Sequence, residues 1–169
     1  EIALTESATV GWQRAVDALR LGRGDRVLVT RSGYVSCALQ LLALERERGV
    51  VVELLPNGAD GAVDLEALAA ALDAGPAALL ALTHIPTSSG LVEPVADAGR
   101  LARAAGVTYL LDATQSVGHL PVDVDAIGCD ILVTTSRKYL RGPRGTALLY
   151  VRRTLLDHLE PLAPDVRGA

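Results

Sequence analysis

Short apolar runs recur along this chain at a spacing that admits few folds. They are RVLVT (26–30), VVVEL (50–54), AALLAL (77–82), VTYLLD (107–112), DILVTT (130–135) and TALLYV (146–151). Each is rich in Val and Leu without polar alternation, the pattern of a strand covered on both faces. Between them lie segments of helical period: ATVGWQRAVDALRLG (8–22), SCALQLLALERERG (36–49), DLEALAAALDAG (64–75) and VADAGRLARAAG (95–106). Gly22, Gly49, Gly75 and Gly106 end them, and Asp64 is placed to cap the third at its N-terminus. Strands alternating with helices of this length predict an α/β fold, a mostly parallel sheet with helices on both faces.

At 169 residues, one domain over 1–160 followed by a tail over 161–169 is the expected organisation. Half the residues are hydrophobic but Phe and Met are absent, so the core must be built from Ala, Leu and Val. The apolar runs fall far short of the ~20 residues a membrane span needs. A net charge of −4 argues against a nucleic-acid footprint, which calls for a basic stripe. Cys37 and Cys129 are too few for a disulfide framework and lack metal-ligand spacing. Reduced thiols and a cytoplasmic setting follow as expectations. The opening EIALTES, with no initiator Met, reads as a start in mid-structure, as in a piece of a longer protein.

In an open α/β sheet, ligands bind beyond the carboxyl ends of the strands. The polar clusters at those ends are Arg31–Ser36, His84–Gly90, Asp112–Gln115 and Thr135–Lys138. Lys138 stands out because the other fifteen of the 16 basic side chains are Arg. Arginine is the better fixed charge, whereas lysine offers an amine that can lose its proton and attack a carbonyl. An arginine-rich composition with one lysine left over is the plainer alternative. Asp112, taken alone, reads as a carboxylate capping the turn that follows its strand. Taken with Lys138 it suggests a carbonyl cofactor, pyridoxal 5'-phosphate (PLP), with the carboxylate opposite the ring nitrogen. TESAT (5–9) and TSR (135–137) supply the hydroxyls, helix start and cation that a phosphate needs.

The stretch DATQSVGHLPVDVDAIGCDILVTTSRKYLRGPRGTALLYVRR (112–153) resembles the class V PLP-dependent aminotransferases, which include cysteine desulfurases, selenocysteine lyases and related C–S lyases. The resemblance implies the large cofactor-binding domain of a fold type I enzyme, with the small C-terminal domain absent or minimal. It implies Lys138 as the Schiff-base lysine, Asp112 as partner of the pyridinium nitrogen and Gln115 as a donor to the ring hydroxyl. Ala8 and Thr9 match the turn that holds the phosphate. Thr135 and Arg137 stand where many members carry Ser and His, and retain phosphate-binding chemistry. Tyr34 aligns with the residue stacked on the ring, and Thr87 with a position that reaches the cofactor. GPRG (142–145) resembles the turn that locks the lysine loop, with Arg141 and Arg144 as candidate donors across a dimer interface. His84 is equally readable as structural or functional, and His119 as structural. No metal ligand is expected.

Two family features are absent from the chain: the arginine that clamps the substrate carboxylate and the nucleophilic cysteine of desulfurases. Cys129 reads as a core thiol and Cys37 as part of a packed helix, so neither replaces that nucleophile. Arg31 is a speculative substitute for the clamp. The resemblance then points to β-elimination from a cysteine- or thiocysteine-type substrate, releasing a thiol, sulfide or persulfide with pyruvate and ammonia. It extends to the lyase domains of polyketide synthase assembly lines, which implies a multidomain synthase setting and a homodimer. Transamination or epimerisation on the same cofactor, and a non-catalytic scaffold, remain open alternatives.

Overall fold

The computed structural model describes residues 1–160, so the tail expected over 161–169 lies outside the described residues. Seven strands form one sheet: β1 (Ile2–Thr5), β2 (Arg26–Thr30), β3 (Val51–Leu55), β4 (Leu79–Thr83), β5 (Thr108–Asp112), β6 (Ile131–Thr135) and β7 (Ala147–Val151). Their order is β1-β7-β6-β5-β4-β2-β3. The pairs β2–β3, β2–β4, β4–β5 and β5–β6 are parallel, and β7 runs antiparallel to both neighbours. The predicted mostly parallel sheet is therefore the fold.

The helices are α1 (Ala8–Ala18), α2 (Val35–Arg48), α3 (Leu65–Asp73), α4 (Val95–Ala104) and the single turns α5 (Val124–Ile127) and α6 (Arg153–Leu156). Two separate buried clusters show how they cover the sheet. Val27, Leu79, Ala81, Leu110, Ile131 and Val133 pack with Trp12, Val16, Leu41 and Leu44 of α1 and α2. Their sequence neighbours Leu28, Leu80, Leu82, Leu111 and Leu132 pack with Leu68, Val95, Ala98 and Ala102 of α3 and α4. Successive strand residues point to opposite faces, so each apolar run feeds both clusters, which is why the runs show no polar alternation. Each fully buried Leu contributes about 2 kcal/mol.

Capping follows the sequence where the signal is strong. Asp64 accepts from the amides of Glu66 and Ala67 at the start of α3, and Gly49 closes α2 in the left-handed region at φ 73°. The first helix stops at Ala18, short of the predicted Gly22. Arg20 turns left-handed at φ 53°, which brings Leu21 into the core. Strand β1 was not foreseen; residues 5–9 read as a helix opening. It is a four-residue edge strand with Ile2 and Leu4 exposed, too short and too exposed to carry a burial pattern. Among the described residues no helix is long and apolar enough to cross a membrane.

The strand order places the site. From β2 the chain steps to β3 on one side, then crosses to β4 and continues through β5 to β6 on the other. Connections leave in opposite directions on either side of the β2–β4 pair, which opens a crevice at their carboxyl ends.

Candidate functional site

A cleft of about 290 Å³ occupies that crevice. Ala8, Thr9, Tyr34, Thr87, Asp112, Gln115, Thr135, Arg137 and Lys138 all line it. They arrive from the ends of β1, β2, β4, β5 and β6, five separate segments meeting at one edge of the sheet.

At one end, Ser7 caps α1 by accepting from the Val10 amide, and the free start of that helix faces the cleft with Ala8 and Thr9. The Thr9 hydroxyl lies 3.1 Å from the Ser36 hydroxyl in the first turn of α2. Unpaired amides at a helix start, with hydroxyls beside them, form an anion site. Thr135 and Arg137 lie on the wall of the same cleft, so a fixed cation is available to it.

Asp112 ends β5, buried, with its Oδ1 accepting from the Thr114 amide at 2.9 Å. Burial pushes its carboxyl above the ordinary carboxylate range, and Thr114 and the Lys138 charge offset part of that push. The Thr114 side chain lies beside the same carboxylate and, with its amide, favours the charged form. Lys138 follows β6 in a tight turn in which the Arg141 amide donates to its carbonyl. Burial lowers its amine below the ordinary lysine value, the Arg137 charge lowers it further, and Asp112 acts in the opposite direction. No ion pair joins Lys138 to Asp112 within 4 Å among the described residues, so both remain available to a ligand between them.

The lysine turn is held by close approaches that leave no space for a side chain. A Cβ on Gly142 would meet the Ser136 Cβ at 2.7 Å, and one on Gly118 would meet the Tyr139 backbone at 2.8 Å. Gly118 also sits at φ +83°, which a residue with a Cβ rarely adopts. His119 stacks on Tyr139 with ring centroids 4.2 Å apart. On the opposite wall Gln115 donates from Nε2 to the Thr87 hydroxyl at 2.8 Å, and Tyr34 stands at the lip, 46% exposed.

Ser7, Ser32 and Thr114 fall within segments the sequence marked for the ligand, whereas Thr83 and Val133, which also line the cleft, were not singled out. Both could have been read from their positions at the ends of β4 and β6. Cys37 also lines the cleft, buried, with burial and the Asp112 charge pushing its thiol up to about 12. Cys129 is buried away from it and is likewise pushed up to about 12, chiefly by burial. His84 is buried outside the cleft lining, its Nδ1 without a partner among the described residues, and burial lowers its pKa. Arg31, weighed as a clamp, is exposed and does not line the cleft.

A phosphorylated pyridine fits this donor set. A buried carboxylate with no cation in contact among the described residues calls for a protonated partner, and the amine and the helix start lie on the same cleft. The family model described as aminotransferase class V matches residues 1–165. The chain belongs to the class V aminotransferase family.

Within that family, a probable cysteine desulfurase of Methanothermobacter thermautotrophicus is 38% identical over 162 residues. That match covers 96% of this chain and 40% of the relative, so the chain spans well under half of the relative's length. An apo cysteine desulfurase structure from Thermococcus onnurineus superposes with a TM-score of 0.90 at 26% identity, over 99% of this chain and 44% of that one. A variant of C-DES with glycine covalently linked to its PLP cofactor superposes with a TM-score of 0.86 at 24% identity, over 99% of this chain and 47% of that one, a likeness of fold alone.

Proposed function

We propose that this chain is the cofactor-binding domain of a PLP-dependent C–S lyase, acting on an amino acid that carries sulfur at its β carbon. The observation that carries the reading is the meeting of Lys138, Asp112, Gln115, Tyr34 and Thr9 on one cleft at the strand-order switch. In the proposed assignment, the start of α1 with Ala8 and Thr9, Thr135 and Arg137 hold the phosphate. Asp112 holds the ring nitrogen in its protonated form. Gln115, oriented by Thr87, donates to the ring hydroxyl, and Tyr34 covers the ring face. The bound cofactor supplies an electron sink for the carbanion formed at the substrate's α carbon.

Lys138 would anchor the cofactor and then serve as the base. Its lowered pKa leaves more neutral amine near pH 8 than an exposed lysine would have, which suits removal of the α proton. Elimination with uptake of one water would convert the substrate into a thiol, pyruvate and ammonia. No cysteine nucleophile is needed for that course, in keeping with two buried thiols pushed to about 12.

A second reading has its own support, since the relatives above are cysteine desulfurases. Transfer of the sulfur to a thiol would leave alanine in place of pyruvate, with the accepting cysteine supplied from outside this chain. Transamination or epimerisation differs only in where the carbanion is reprotonated. A homodimer, a cytoplasmic setting and a place in a larger synthase complete the proposal.

The test is to titrate the purified chain with PLP and follow the visible absorbance of lysine-bound cofactor. Cysteine or cystine is then added, and pyruvate and alanine are assayed together. Pyruvate release supports elimination; alanine moves the assignment to desulfuration. No absorbance change at any PLP concentration refutes the cofactor assignment and favours the scaffold alternative.

A further inference from the structure

Glu93 is 2% exposed and forms no ion pair among the described residues. A carboxylate removed from water without a counter-charge persists only where hydrogen bonds replace the lost solvation. Glu93 has two. Its Oε2 accepts from the Val63 amide at 2.7 Å, and its Oε1 accepts from the Ser32 hydroxyl at 3.2 Å. The Ser32 hydroxyl lies 3.0 Å from that of Thr30 at the end of β2.

Ser32 belongs to the lip of the cleft, residues 32–35, which carries Tyr34. Gly33, Tyr34 and Val35 are exposed, and Tyr34 opens α2 without a side-chain cap. Among the described residues, the bond to Glu93 is the only side-chain hydrogen bond from residues 31–34 to a distant part of the chain. The Glu93 backbone is fixed in turn. Its amide donates to the His84 carbonyl at 2.9 Å, and the His84 amide donates to the Asp112 carbonyl at 2.9 Å. A continuous path therefore runs from the Asp112 backbone to the lip.

We propose that Glu93 is a positioning residue: a buried latch that, through Ser32, sets where the Tyr34 lip stands relative to Asp112 across the cleft. The consequence for PLP binding rests on the function proposed above, whereas the latch itself does not. The competing explanation is that Glu93 serves only Val63 and the loop over 57–63.

Limited trypsin digestion of the intact chain separates the two, because Arg31 is an exposed cleavage site immediately before the lip and Arg26 is an internal reference within β2. Glu93→Ala and Ser32→Ala should each raise the initial rate of cleavage after Arg31 by about tenfold, the worth of one partly buried hydrogen bond. The double variant should rise no further than the larger single one. Glu93→Gln should stay within about threefold of the parent. Its amide oxygen can accept from Val63 while its amide group donates to Ser32, whose proton turns to Thr30.

Unchanged cleavage after Arg31 in Ser32→Ala, equal acceleration at Arg26, or additive effects in the double variant would overturn the latch. If Glu93→Ala does not fold, Ser32→Ala and Glu93→Gln still decide between loss and retention. A PLP titration of the same proteins reads the consequence, with about tenfold weaker binding expected for Ser32→Ala and near-parental binding for Glu93→Gln. A lip that loosens in a chain that never binds PLP sustains the latch and refutes the function.

Discussion

The two walls of the cleft are built by different means. The Lys138 turn is cross-braced: Gly118 and Gly142 press against Tyr139 and Ser136 where no side chain fits, and the Ser136 hydroxyl donates to the Pro143 and Thr146 carbonyls. The Tyr34 lip is exposed: its carbonyl accepts from the Cys37 and Ala38 amides of α2, and Ser32 ties it to Glu93. Packed contacts tolerate little displacement, whereas an exposed segment with few long-range bonds has more room to adjust. The arrangement suits a site whose anchor must not move while the opposite wall admits substrate.

The largest effect expected on this contrast comes from Lys138 itself. Lys138→Ala should abolish the visible absorbance of bound PLP and lower β-elimination by about four orders of magnitude, while thermal unfolding stays near that of the parent. A surviving band would reassign the anchor.

Asp112→Asn comes next and works in two directions. Loss of the charge opposite the ring nitrogen should slow elimination by about 100-fold, measured as pyruvate release at saturating PLP. Without cofactor, the same variant should be more stable than the parent at pH 7. The sign follows from linkage: a carboxyl whose folded pKa is raised contributes stability below its unfolded value near 4 and loses it as pH rises through the folded value. The difference should therefore vanish in melts below about pH 4.

Gly118→Ala tests the packed wall. A Cβ 2.8 Å from backbone, at a left-handed φ, should cost about 2 kcal/mol and lower Tm by roughly 4–8 °C. Tyr34→Ala tests the adjustable wall and should leave Tm nearly unchanged, because the side chain is half exposed. It should weaken PLP binding by about three- to tenfold, the worth of one aromatic stack. Equal loss of stability in both variants would erase the distinction between the walls.

Much of the site was legible because its chemistry is carried by residue type at strand ends. Asp112, Gln115, Thr87 and Lys138 each follow an apolar run, and such positions face the ligand edge of a parallel sheet. Their mutual contact was not legible. Gln115 and Thr87 are 28 residues apart, and nothing in either segment announces the 2.8 Å bond between them. Glu93 reads in sequence as one more acid beside a helix start; only burial beneath Ser32 gives it a role. Strand β1 escaped because an edge strand of four residues, with two apolar side chains in solvent, has no periodicity to detect.

The sequence by itself determined the α/β class, the doubly covered strands and the polar groups gathered at the strand ends, since periodicity and residue chemistry are local properties. The tertiary structure decided the order β5-β4-β2-β3, the reversal of β7, the perturbed acid and amine at Asp112 and Lys138, and the tie between Glu93 and the lip. These depend on pairing register and desolvation between segments tens of residues apart, which no local pattern encodes.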